Sequence, residues 1–178
     1  MPELIPFADA ARLFTEFEHT AWRLETQTGY ASDRSGPNWA RWQRGEDVSH
    51  SEPDAWRQNV AEQTAAGKRF ERVRLLDDPP TEGQRFLLAR APSNITAGED
   101  IRHLRRADAV RLSLLDFDFW LFDSRQVMRF VFDEDGTTLG VLLTEDPAVV
   151  VAACQTRDAA WHHAVPSADV GGAVRSTG

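Results

Sequence analysis

A chain of 178 residues, 42% hydrophobic and 27% charged, has the size and composition of one globular domain with a sizeable core. Its net charge of −8 disfavours a nucleic-acid surface as the main function, because phosphate contacts need a basic face, so direct nucleic-acid binding is not expected. The single cysteine, Cys154, excludes an internal disulfide and a thiolate metal site; the start MPELIPFADAARLF lacks the regions of a signal peptide, and no run approaches ~20 apolar residues, so a cytoplasmic protein without a membrane span is expected.

Phe7, Ala10, Ala11, Phe14 and Phe17 recur at helical spacing and predict a helix over residues 8–18. In HTAWRLETQ, Trp22 and Leu24 alternate with Arg23 and Glu25, which predicts a short strand. GYASDRSGP, residues 29–37, reads as loop, and a short helix over 38–44 presents Trp39 and Trp42. Ser51 and Asp54 have the spacing of a helix start, with Trp56 and Val60 one turn apart and Gly67 at the end. RFERVRLL, residues 69–76, predicts an arginine-rich strand. After the break at DDPP, Thr81 and Gln84 cap a helix that Pro92 is expected to stop near Ala91. SNITAGED then turns the chain into a strand, IRHL.

Strands are predicted at 117–123, 126–133 and 137–144, with DEDG as a hairpin turn between the last two. Asp146 is an N-cap with Pro147 at the first helical position, and apolar spacing carries that helix to about His163. The tail, residues 166–178, has little apolar content and a Gly-Gly pair, and disorder is expected there. The order of elements predicts an α+β fold: a single domain over residues 1–165, built on a mostly antiparallel sheet of about five or six strands with helices packed on it.

The stretches FTEFEHTAWRLET, GKRFERVR, AGEDIRHL, DFDFWLFDSR and EDPAVVVAACQTRDAAWHHAVP together resemble an uncharacterised family of small actinobacterial proteins. Members of that family are often encoded beside helix-turn-helix regulators, and none of the matching pieces is a known catalytic motif. TEDPAVVV is also similar to the sensor region of XRE-type regulators, where a hairpin is followed by a helix that begins at EDP. The resemblance implies a companion of such a regulator.

Three groups of residues are candidates for a site. In FDFWLF, residues 117–122, both alternating faces are apolar except at Asp118. A carboxylate there needs a partner, with Arg23, Arg102, Arg125 and Arg157 available, and a structural salt bridge is the reading set against a catalytic acid. Asp116 and Asp123, at the strand ends, read as turn residues or caps. Among histidines, His162 and His163 are adjacent on a helix and do not make a metal pair, so no metal is expected. His19 would need a nucleophile facing it, and arginine neighbours would disfavour protonation of His103.

Arginines and tryptophans form the binding candidates. Were RFERVR and IRHLRR neighbouring strands, Arg72, Arg74 and Arg102 would line one concave face able to hold an anion. The alternative is pairing with surplus Asp and Glu on a solvated face. Trp22, Trp120 and Trp161 read as core; Trp39 and Trp42 are either packing over a sheet edge or a protein-contact patch. No phosphate loop, nucleophile elbow or cofactor fingerprint is present, and no cofactor is expected. The leading expectation is a non-enzymatic regulatory or protein-interaction protein that partners a helix-turn-helix regulator through Trp39, Trp42 and the arginine face. The alternative is an enzyme or small-ligand domain with a pocket around Asp118, Arg23, Arg102 and His103.

Overall fold

In the computed structural model, residues 2–50 and 54–174 are described, 171–174 by their backbone alone. The elements run β1 (Leu4–Ile5), α1 (Phe7–Ala10), α2 (Leu13–Glu16), β2 (Thr20–Glu25), α3 (Ala31–Arg34), α4 (Pro37–Gln43), α5 (Ala55–Ala65), β3 (Arg69–Leu76), α6 (Glu82–Ala97), β4 (Glu99–Arg105), α7 (Arg106–Arg111), β5 (Phe119–Phe122), β6 (Gln126–Phe132), β7 (Thr138–Thr144), α8 (Pro147–His163), β8 (Val165–Pro166) and α9 (Ser167–Val174). Among the described residues the strands form one open eight-stranded sheet, in the order β1-β7-β6-β5-β2-β3-β4-β8. The fold is mixed α+β. The count of five or six strands was too low: two-residue strands at each edge, β1 and β8, carry no periodic signal of their own. The neighbours β2–β3 and β3–β4 are parallel and the remaining pairs antiparallel. No helix among the described residues is long and apolar enough to cross a membrane.

Alternation along the central strands divides the core in two. One face of the sheet carries Trp22, Leu24, Val73, Leu75, Phe119, Leu121 and Val127, closed over by Val150, Ala153 and Ala160 of α8. The other carries Ala21, Phe70, Trp120, Phe122 and Met128, covered by Leu13, Phe14 and Phe17 at one end and Val60 of α5. This second face is only partly roofed, and the site lies there.

Local signals explain most of the elements and several departures from expectation. Thr81 and Gln84 form a reciprocal capping box, and Asp146 accepts the backbone N–H groups of Ala148 and Val149. Helix α5 is capped by Asp54, whose carboxylate accepts the Arg57 N–H; Ser51, the expected start, lies outside the described residues. The helix expected over 8–18 is two short pieces, because bonds from Ala11 N to Ala8 O and from Phe14 N to Ala11 O tighten the junction into i→i−3 turns. The loop expected at 29–37 contains α3. Pro92 does not end α6: burial of Ala91 and Ser93 outweighs the one backbone bond lost, and the helix stops at Gly98, whose φ is +123°. A Cβ at Gly98 would lie 2.6 Å from Thr64 Oγ1, so glycine is also the residue that lets α5 and α6 close together there. Helix α7 was not anticipated. Within the tail expected to be disordered, Pro166 pairs with Arg102 and α9 spans Ser167–Val174; residues 175–178 lie outside the described residues.

Candidate functional site

The second face holds the chain's charged interior. In β2 and β3 the i, i+2 pairs Arg23/Glu25 and Arg72/Arg74 point to this face while Trp22, Leu24 and Val73 point to the other. Parallel register sets Arg23 beside Arg72, Glu25 beside Arg74, and Arg74 beside His103. Glu25 is the hub: Arg72 and Arg74 each reach it at 2.5 Å and Arg23 at 3.3 Å. Arg72 also meets Glu99 at 3.1 Å, and Glu99 accepts the Trp56 indole N–H at 2.5 Å. Burial alone would raise the Glu25 carboxyl, but the charges of Arg72, Arg74 and Arg23 outweigh it and hold the group well below the usual carboxylate range. Burial would likewise lower Arg72, and Glu25 and Glu99 more than reverse it.

Asp118 closes one end of this lattice. It is 1% exposed. Its Oδ2 accepts from Arg23 at 3.1 Å and from the Tyr30 hydroxyl at 2.7 Å; its Oδ1 accepts from Thr26 N and Oγ1, both at 2.7 Å. Four donors occupy the carboxylate, the partnered arrangement that a structural salt bridge requires. Within the lattice three arginines (Arg23, Arg72, Arg74) face three carboxylates (Glu25, Glu99, Asp118); Arg57, also buried, pairs with Asp54. Aromatic faces complete their surroundings: the Arg23 guanidinium lies 4.4 Å from the Phe130 ring centre and that of Arg72 5.3 Å from Trp120.

Above the lattice is an open cavity of about 390 Å³. Its floor is Arg23, Glu25, Arg72 and Arg74; its walls include Trp56, Trp120, Phe130 and Phe132. On α6, Phe86, Leu87, Arg90 and Asn94 line one side at helical spacing, and Ser32 and Asp33 of α3 stand beside them. Arg90, half-buried, makes no hydrogen bond or ion pair among the described residues. Burial lowers its pKa and the nearby charge of Arg57, with that of Arg74, adds to this, against Asp54 and Asp33. Asp33 is comparable: its Oδ2 is buried without a hydrogen bond, and burial, with the charge of Glu25, pushes the carboxyl up to about 6 against Arg74, Arg90 and Arg72.

The residues expected from sequence fall into distinct places. Arg23, Arg72 and Arg74 do come together, but in a buried lattice and not on a solvated face: β2 and β3 lie in mid-sheet with strands on both sides. Arg102 is not with them. It pairs in register with Val73 and so points to the opposite face, where its guanidinium lies 3.7 Å from the Trp161 ring centre. The expected pocket around Asp118, Arg23, Arg102 and His103 therefore does not form. His103 is 2% exposed with both ring nitrogens unpartnered, and burial, with Arg74, pushes its pKa down to about 3. His19 is exposed beside Glu18. Asp123, at φ +52°, accepts the N–H groups of Glu18, His19 and Thr20, the capping role expected of it. Trp39 and Trp42 both pack on Phe86 of α6 and not over a sheet edge, Trp39 buried and Trp42 half-buried. Among the described residues no group of His, Cys, Asp and Glu could hold a metal ion.

Glu25, Glu99, Asp33, Arg90 and Tyr30 were not singled out from sequence. Glu25 had a signal, charges at every second position of a strand whose intervening residues are apolar; Glu99, followed by Asp100 and Arg102, had none of this kind. Asp33 and Arg90 lie on separate helices and had none.

The fold and site define an α+β domain whose open sheet carries a charged cavity on one face. The chain belongs to the family described as Domain of unknown function (DUF6879), which matches residues 8–170. No curated protein matches it. Among solved structures the fold is similar to that of Nuc from Salmonella typhimurium, a phospholipase D family member, with a TM-score of 0.50 and 11% identity over 89% of this chain and 90% of that one. At that identity the likeness is one of fold.

Proposed function

We propose that this chain is a non-enzymatic ligand-binding domain that takes a small molecule bearing an anionic group in the cavity on the sheet face. The observation that carries the reading is Arg90, an unpartnered guanidinium beside other arginines in the wall of an open, aromatic-sided cavity. A half-buried charge without a partner is unfavourable, and a bound anion would supply the missing one. Trp56, Trp120 and Phe130 offer flat apolar surface for the rest of the molecule. Glu25 is held ionised by three arginines, and Asp118 is filled by four donors. The likeness to a phospholipase D family member supports the architecture and carries no reaction to this chain.

The family resemblance read from the sequence supplies the proposed output. In this reading the chain is one of the small actinobacterial proteins encoded beside XRE-type regulators, and a helix-turn-helix regulator senses whether its cavity is filled. A titration with flat aromatic carboxylates and phosphates, followed by tryptophan fluorescence, tests the cavity. Saturable quenching is expected, and Thr138→Trp, which places a bulky ring in the cavity wall, should abolish it. Quenching that survives this substitution would place binding elsewhere. Co-purification with the neighbouring regulator, with and without a bound probe, tests the output; no complex in either state would overturn it.

A further inference from the structure

The cavity continues past its own rim. Ser32, Asp33, Phe86 and Arg90 line it, and the same four residues line a second open hollow of about 540 Å³. The two are lobes of one cleft that meet between α3 and α6. Their chemistry differs. The inner lobe sets Trp56, Trp120 and Phe130 around the lattice, whereas the outer lobe has no lattice and places the side chains of Asn38, Arg41, Asp54 and Arg57 beside Pro37.

Two groups at the junction have unmet hydrogen-bonding capacity among the described residues. Among the described residues Arg90 makes no ion pair, and Asp33 Oδ2 is buried with no hydrogen bond. Pairing with each other would relieve both, yet they stay apart. Every other buried arginine on this face is paired to a carboxylate: Arg23, Arg72 and Arg74 within the lattice, Arg57 to Asp54 at 3.4 Å. A cation and an anion held unpaired across an open junction leave room for a third group between them. That group must be an acceptor of charge-assisted hydrogen bonds on the Arg90 side. On the Asp33 side it meets negative charge, so each additional negative charge it carries is penalised.

Building on the binding reading above, we infer that the ligand is elongated, with a flat aromatic body in the inner lobe and a singly charged oxyanion of the carboxylate class at Arg90, and that Asp33 opposite it selects against doubly charged anions. Arg90 is the residue that recognises the anion; Asp33 sets its charge. The outer lobe leaves space for a further extension of the ligand.

Calorimetric titration of the full chain near pH 7 with 2-naphthoate, 2-naphthyl phosphate, 2-naphthol and inorganic phosphate tests this. Naphthoate should bind about tenfold more tightly than either naphthol or naphthyl phosphate, and inorganic phosphate alone should not bind measurably. Arg90→Gln should erase the advantage of naphthoate over naphthol while leaving naphthol unchanged, and Arg90→Lys should keep part of it. Asp33→Asn should tighten naphthyl phosphate by about threefold or more, and naphthoate less. Equal binding of naphthoate and naphthol, or equal losses of both in Arg90→Gln, would overturn the role of Arg90 and leave the cavity reading standing. Tighter binding of naphthyl phosphate than of naphthoate to the unaltered protein would overturn the role of Asp33. Failure of all four probes to bind at millimolar concentration would overturn both this inference and the binding reading.

Discussion

The two faces of this sheet are made by the same strands and solve opposite problems. On one, Trp22, Leu24, Val73, Leu75, Phe119 and Leu121 meet the apolar side of α8 with no charge among the fully buried residues. On the other, three arginines and three carboxylates lie among aromatic rings and are left partly open to a cavity. A face that needs only stability can be filled with hydrocarbon, which is non-directional and tolerant of detail. A face that holds buried charges in fixed geometry must complete every partner set, and a group left incomplete there marks a place for something else to bind. Arg90 and Asp33 are two such groups at the cavity wall.

The largest test of this contrast is Asp118→Ala. It leaves Arg23 short of one carboxylate and strips the acceptor from Thr26 and Tyr30, so stability should fall by about 3–5 kcal/mol in urea unfolding. Affinity for an aromatic anion should fall with it, since Arg23 forms part of the cavity floor. Leu121→Ala, on the closed face, should cost about 3 kcal/mol by the same measurement and leave that affinity unchanged. If the two substitutions affected binding alike, the faces would not be functionally separate.

Asp33→Asn sharpens the comparison by a change of opposite sign. The folded-state pKa of Asp33 is raised from 3.8 to about 6, so the folded protein holds this proton where the unfolded chain has released it. Its ionisation therefore costs stability as pH rises through that window. The asparagine variant should be more stable by about 1–2 kcal/mol near pH 7, with the gain fading to nothing near pH 4. Calorimetric melting at the two pH values decides it; an equal gain at both would mean that charge is not the cause. The smallest effect is expected from Arg102→Ala. This arginine lies over Trp161 on the closed face and is partly exposed, so its loss should cost no more than about 1 kcal/mol and leave ligand binding untouched.

Much of the frame was legible in the chain itself. The strands at 69–76 and 126–132, the capping box at Thr81 and the Asp146-Pro147 start of α8 follow from local chemistry acting within a few residues, and the structure shows them where expected. The alternation in FDFWLF separated Asp118 from its neighbours and narrowed its partner to four arginines, of which Arg23 is the one. What failed depended on distance. Arg102 was grouped with Arg72 and Arg74, but a one-residue difference in register sends it to the other face. Pro92 has a strong local reading as a stop, and burial of its neighbours overrode it.

The sequence by itself determined the alternation that makes one side of β2 and β3 apolar and the other charged, because that period is written in successive residues. It also determined the caps and turns, which close over three or four positions. Only the tertiary structure decided which charges meet. Asp118 lies 95 positions from Arg23, and Arg72 lies 47 from Glu25, so their pairing rests on strand order and register. The same holds for Asp33 and Arg90, which are left unpaired at one junction because two helices with no local relation are fixed on a common sheet.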